Sequence, residues 1–227
     1  MSTWVKVARY HLVRPTNYVL LPCLLPLAFA IGAVTAGRGD GHEAAGYLAG
    51  VFVYFGVLGS QTISRSLPFG LTLGASRRSF YSGTALLGLV LALVTGLLLT
   101  VLQAIERATD GWGLSLHFFR VPYLLDGPWY ATWLTSFVCL FAVFVYGMWY
   151  GIVSTRWGIL GTLAFIAVQV LLVVTWAITV SSEHWHLRSA DGASWAGLTA
   201  LGLTGVIAAL AVLLLAGGHA TIRRATV

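Results

Sequence analysis

Residues 79–103 read SFYSGTALLGLVLALVTGLLLTVLQ, from Ser79 to Gln103, without one Asp, Glu, Lys or Arg. A hydrocarbon core about 30 Å thick is crossed by about 20 apolar residues wound as helix, which satisfies every backbone N–H and C=O without water. The run is read as a membrane span. Five more of the same kind surround it: roughly Tyr18 to Ala36, Ala44 to Thr62, Trp129 to Val153, Gly158 to Val180 and Trp195 to Gly217. The expected fold is an all-α integral membrane domain of six transmembrane helices occupying residues 1–227.

The charges lie between the runs and alternate in sign. Lys6, Arg9, Arg14, Arg65, Arg77, Arg78, Arg156, Arg223 and Arg224 fill the leading segment, the second and fourth gaps and the tail, with no carboxylate among them. The other gaps hold Arg38, Arg107, Arg120 and Arg188 against Asp40, Glu43, Glu106, Asp110, Asp126, Glu183 and Asp191. The positive-inside rule counts Lys and Arg, here nine against four, and puts both termini in the cytoplasm.

Composition agrees with a membrane domain that has little outside the bilayer. Hydrophobic residues make up 58%, charged ones 9%, and the mean hydropathy is +0.86, too little charge to clothe a soluble domain of 227 residues. The net charge of +6 serves orientation and anionic headgroups, and no basic cluster resembles a nucleic-acid footprint. Lys6 is the single lysine against twelve arginines, in a chain full of Ala, Gly, Leu and Val, a bias that hints at a GC-rich bacterial genome; the expected location is a bacterial plasma membrane. Cys23 and Cys139 fall in different spans at different depths, so they are read as packing residues rather than a disulfide. Lys6, Arg9 and Arg14 before a run containing Ala28-Phe29-Ala30 imitate a signal peptide, yet the segment is expected to be retained as structure.

The gaps carry most of the pattern. Trp4, Ala8 and Leu12 recur at helical spacing opposite Lys6, Arg9 and Arg14, which predicts an N-terminal interfacial amphipathic helix over 1–15 that Pro15 ends. Pro22 and Pro26 remove two donors from the first span and predict a kink. The inner gap from Ser64 to Phe80 combines Pro68, Gly70 and Gly74 with Phe69, Leu71 and Leu73, too apolar for a solvated loop; a short helix that contacts a partner is expected there. The long outer gap, 104–128, and the start of the next span supply Trp112, Phe118, Phe119, Tyr123, Trp129 and Trp133, an aromatic belt at headgroup level or an outer gate. Gly147 with Gly151, Gly46 with Gly50, and Gly197, Gly202 and Gly205 have the spacing that lets helix backbones approach. Glu183, His184 and His186 would need a further ligand such as His117 to hold a metal, and none is expected.

Several chemistries are missing. No span carries a charge at its middle, where ion- and proton-coupled pumps keep ionisable groups. The phosphate-binding pattern G-x-x-x-x-G-K-[ST] is absent, as are H-E-x-x-H and a Ser and His in facing spans, so neither a nucleotide site nor an intramembrane enzyme is expected. A passive bundle remains, or one driven by a protein docked at its cytoplasmic face.

Leu67-Pro68-Phe69-Gly70-Leu71-Thr72-Leu73-Gly74-Ala75-Ser76-Arg77-Arg78-Ser79-Phe80, the long third span ending in Ile105-Glu106-Arg107, and the turn Arg156-Trp157-Gly158 after Gly147-Met148-Trp149-Tyr150-Gly151 resemble the permease subunits of bacterial ABC exporters of the second type, especially short actinobacterial ones. The likeness covers the whole chain in layout. It implies two copies of this chain, or this chain with a sister permease, on two separately encoded ATPase subunits that bind MgATP; this chain itself would hold no cofactor. Leu67, Pro68, Phe69, Gly70, Leu71, Gly74, Ser76, Arg77 and Arg78 would match the family's coupling helix, and Arg156 with Trp157 its smaller second contact. The cargo would be amphipathic or hydrophobic, an antibiotic, peptide or lipid. Residues 181–194 leave little room for the re-entrant helices such exporters often carry before the last span, so the segment from Trp112 to Pro128 is expected to serve as outer gate. The alternatives are a six-span substrate-binding module of an energy-coupling vitamin transporter, and an intramembrane accessory subunit.

Overall fold

The computed structural model describes residues 20–36, 41–72, 76–110, 119, 128–187 and 200–224. The expected interfacial helix over 1–15 lies outside them. Among the described residues the protein is all-helical: α1 (Leu21–Ala36), α2 (Gly41–Ser64), α3 (Ser66–Thr72), α4 (Arg77–Ala108), α5 (Trp129–Leu187) and α6 (Ala200–Arg224). Pro26 lies inside α1. Three stretches, Arg77–Ala108, Trp129–Thr175 and Ala200–Thr221, are long and apolar enough to cross a membrane, and Leu48–Ser64 in α2 is a shorter apolar stretch.

Helix α5 is two arms. Gly158 has φ +63° and ψ −156°, a region open only to glycine, and it separates residues 129–157 from 159–187. The arms fold against one another: the Tyr150 hydroxyl meets Oε1 of Gln169, and the Tyr150 and Phe165 rings sit edge to face with centroids 5.0 Å apart. Nineteen residues of unbroken helix would have held Tyr150 and Gln169 roughly 28 Å apart. The chain therefore reverses at Gly158, where the sequence reading starts its fifth run.

The first arm of α5 is the centre of the bundle. On its α2 side, glycine brings backbones together: Gly147 lies on the carbonyl of Gly56, Gly59 lies on the carbonyl of Phe144, and a Cβ on Gly151 would stand 2.7 Å from both Ile63 Cβ and the Ser60 carbonyl. Close approach without side chains lets dispersion contacts hold two apolar helices that gain nothing from leaving lipid. Toward α4, a Cβ on Gly96 would be 3.1 Å from the Phe137 amide nitrogen, and the Phe144 ring fills the space beside Gly88. Toward α6, Trp149 Nε1 donates to the Leu214 carbonyl at 2.9 Å and the Thr135 and Thr204 hydroxyls are 2.9 Å apart. Phe55, Leu140, Phe144, Val145 and Met148 are wholly buried in this seam. By these pairings α2 and α6 run parallel to the first arm and α4 antiparallel.

The second arm is apolar around its circumference. Ile159, Leu160, Leu163, Val168, Leu171 and Leu172 are among its exposed side chains, and such a helix belongs in lipid or against another apolar surface.

Candidate functional site

The helix directions gather the described charges at opposite ends. The end of α2, all of α3, the start of α4, the reversal at Gly158 and the end of α6 share one end of the bundle, which carries Arg65, Arg77, Arg78, Arg156, Arg223 and Arg224 and, among the described residues, no carboxylate. Glu106, Arg107 and Asp110 lie at the other end, where α4 finishes.

At the arginine end the chain makes two turns in quick succession. Helix α2 closes with the Arg65 amide on the Gln61 carbonyl, α3 follows at once, and Ser76 caps α4 with its Oγ accepting from the Ser79 amide at 3.2 Å. That cap satisfies a donor that the helix start would otherwise leave unbonded. Leu67 is buried, Leu71 partly so, and the Phe80 ring lies on Gly70, where a Cβ would be 2.7 Å from it. One face of α3 is thus held on the bundle by Leu67, Gly70 and Leu71. Pro68 and Phe69 belong to the same helix, and Gly74 lies outside the described residues. Next door, the Tyr81 hydroxyl donates to the Leu215 carbonyl at 3.0 Å and its ring meets the edge of His219, tying α4 to α6. His219, two residues past the expected end of the last apolar run, stands inside α6.

Arg156 and Trp157 sit at the reversal, both exposed, with the guanidinium 4.8 Å from the indole centroid. An indole beside a cation suits a headgroup level or a protein contact, since each offers apolar and anionic surface together. Arg77 and Arg78 open α4 beside the α3 platform.

The outer-gate residues divide. Trp112, Phe118 and Tyr123 lie outside the described residues. Phe119 is 4% exposed and part of the hydrophobic core, whereas Trp129 is 69% exposed and its ring stands edge to face with Tyr130. Trp133 stacks on Phe137, and Phe137 on Phe141, each pair with centroids 6.2 Å apart, an aromatic ladder along α5. Glu106 is the site residue that the sequence reading missed. Helix α4 continues past Gln103 through Ala108, so this carboxylate enters the last turn and is buried, accepting a hydrogen bond from the Phe119 amide.

Among the described residues no group of three or more His, Cys, Asp or Glu comes together. Compared with models of known protein families, with curated proteins and with solved structures, the chain matches none.

Proposed function

We propose that this chain is the membrane permease of an ATP-driven exporter of the second ABC type, with six spans and both termini cytoplasmic, energised by a separate ATPase that docks on the arginine end. The observation that carries the reading is the α3 platform. A short apolar helix is clamped on the bundle through Gly70 and Phe80, flanked by Arg65, Arg77 and Arg78 and sharing its end with Arg156 and Trp157. Such an element offers a docked protein a rigid handle whose displacement is passed directly to α2 and α4. The Tyr81 link to Leu215 carries the same displacement on to α6. Two copies of the chain, or one with a sister, would enclose the pathway, each contributing apolar arms to the shared surface.

Affinity purification of the tagged chain from its native membrane tests this. An ATPase subunit is expected in stoichiometric amount, lost when Arg77 and Arg78 are both changed to Glu; its absence from the wild-type complex overturns the reading.

A substrate-binding module of the energy-coupling kind is the second reading, and buried hydroxyls on α5 at the end away from the arginines favour it. It predicts a small molecule that co-purifies with the chain alone.

A further inference from the structure

Hydroxyls on the helices of this chain share a habit. Thr62 donates to the Leu58 carbonyl, Thr100 to Gly96, Thr175 to Leu171, Thr204 to Ala200 and Thr221 to Gly217, each one turn back along its own helix. A hydroxyl bonded in this way is already satisfied and needs nothing from outside. Among the described residues the hydroxyls of Thr132 and Ser136, in side chains 2% and 1% exposed, make no such bond and no other, and Trp133 Nε1, between them in sequence, is also buried without a partner. The Thr84 hydroxyl, near the arginine end of α4, shares the condition.

Three unmet polar groups within five residues need a cause, because each raises the free energy of the folded chain unless something bonds it. Thr132 and Ser136 are one turn apart and share a face of α5. The same row continues inward through Leu140 to Phe144, whose carbonyl lies on Gly59 of α2, and one residue round the helix Thr135 meets Thr204 of α6. The turn therefore stands where the first arm leaves its glycine seam, at the end of the bundle opposite the arginines.

We propose that the turn Thr132–Ser136 is the hydrogen-bonding part of a binding site for a neutral amphiphile rich in acceptor oxygens, of the ester, amide or ether kind. An indole N–H can only donate, and the two hydroxyls donate or accept, so the complement must present acceptors. No ionisable side chain belongs to the turn, so the turn itself offers a charged ligand no counter-charge for the hydration it would lose. That the amphiphile is cargo rests on the exporter reading; the site does not. Lipid ester carbonyls share this chemistry, and the experiment separates the two sources.

The full chain, without an ATPase, is reconstituted in phosphatidylcholine nanodiscs and titrated with radiolabelled valinomycin, a neutral depsipeptide, against empty discs; tetraphenylphosphonium is the charged comparison. Saturable binding of valinomycin is expected in the wild type. Thr132→Val with Ser136→Ala should weaken it roughly tenfold, as the loss of two hydrogen bonds implies, and should leave the unfolding midpoint unchanged or higher, since unpaired groups are removed. Thr175→Val, whose hydroxyl is bonded within its helix, should leave binding unchanged. Binding confined to the lipid phase, as when ester carbonyls already fill the turn, overturns the proposal. So does a preference for the phosphonium, or a double variant that keeps its affinity or unfolds earlier. Saturable binding by a chain that recovers no ATPase would remove the exporter reading and keep the site; an ATPase complex without such binding would do the reverse.

Discussion

Oε2 of Glu106 accepts a hydrogen bond from the backbone amide of Phe119 at 3.0 Å, and both residues are withdrawn from solvent, at 2% and 4% exposure. Thr109 closes α4 on the Ile105 carbonyl, Asp110 follows with φ +49°, and the Phe119 amide lies against the helix's last turn. The carboxylate pins a buried ring at the end of the bundle opposite the arginines. Replacing Glu106 by Leu leaves the Phe119 amide buried without its acceptor and should destabilise the protein by about 1–3 kcal/mol, whereas Glu106→Gln, which keeps an acceptor oxygen, should lose less. Denaturant titration in detergent checks this; equal loss in the two variants would mean that the bond to Phe119 is not what the carboxylate supplies.

The α2–α5 seam makes a second quantitative claim. A side chain at Gly147 would run into the Gly56 carbonyl, a backbone atom that moves only if the helix moves, while Gly205 in α6 has nothing among the described residues within 4 Å of its would-be Cβ. Gly147→Val should cost about 1–3 kcal/mol or more through overpacking, and Gly205→Val distinctly less. Thermal unfolding of the two variants in one detergent ranks them, and the reverse order would rule out the seam.

A third test concerns the reversal at Gly158. Cysteines replacing Tyr150 and Phe165, with Cys23 and Cys139 changed to Ala, should be joined within one chain by a short bismaleimide, because the native rings are 5.0 Å apart. An unbroken helix would separate those positions by roughly 22 Å, beyond the reagent. Gly158→Ala should lower the unfolding midpoint, for its surroundings are open and only the backbone angle opposes a side chain.

The parts of this fold that follow from periodicity were readable, and the parts that follow from a single distant partner were not. A charge-free run from Ser79 to Gln103 announces a helix, since nothing in it would interrupt apolar packing. Pro68 and Gly70 among apolar neighbours mark a short helix between longer ones, and α3 occupies Ser66–Thr72. Glu106 was different. A carboxylate just past an apolar run reads as a solvated loop charge, and its burial depends on a backbone amide thirteen residues on, which has no sequence signature. The same holds for Thr132 and Ser136, which no local pattern distinguishes from Thr100 or Thr204; only the three-dimensional record of who bonds whom sets them apart. Trp112, Phe118, Tyr123 and Gly74, which stand out in the sequence by residue type and gap position, fall outside the described residues.

The segregated charge makes orientation testable. If the arginine end faces the cytoplasm, a cysteine at Ser76 should react with a membrane-impermeant maleimide only in inside-out vesicles, and one at Ser115 only in intact cells, with the two native cysteines removed. Labelling of both from one side would refute the arrangement of an odd number of crossings between them.

Energy enters, on the proposed reading, through α3, and Gly70 is the position where that can be separated from insertion. Gly70→Leu would press a side chain into the Phe80 ring and tilt α3 off the bundle, since a flexible leucine still has no room where a Cβ is already 2.7 Å from the ring. The spans themselves are untouched, so membrane insertion and purification yield should stay near the wild-type level. Arg77→Glu with Arg78→Glu reverses the charge of the surface beside α3 while leaving the Ser76 cap in place. Both changes should abolish transport-linked ATPase activity in the reconstituted complex, but by different routes. The charge reversal should weaken recovery of the ATPase subunit, more strongly at low salt than at high because exposed charges are screened. Gly70→Leu should leave the ATPase bound while its hydrolysis no longer responds to cargo. Trp157→Ala, at the neighbouring reversal, should give a smaller loss of the same kind as the charge pair. Normal cargo-stimulated hydrolysis in all three variants would show that force is not delivered at this end of the molecule.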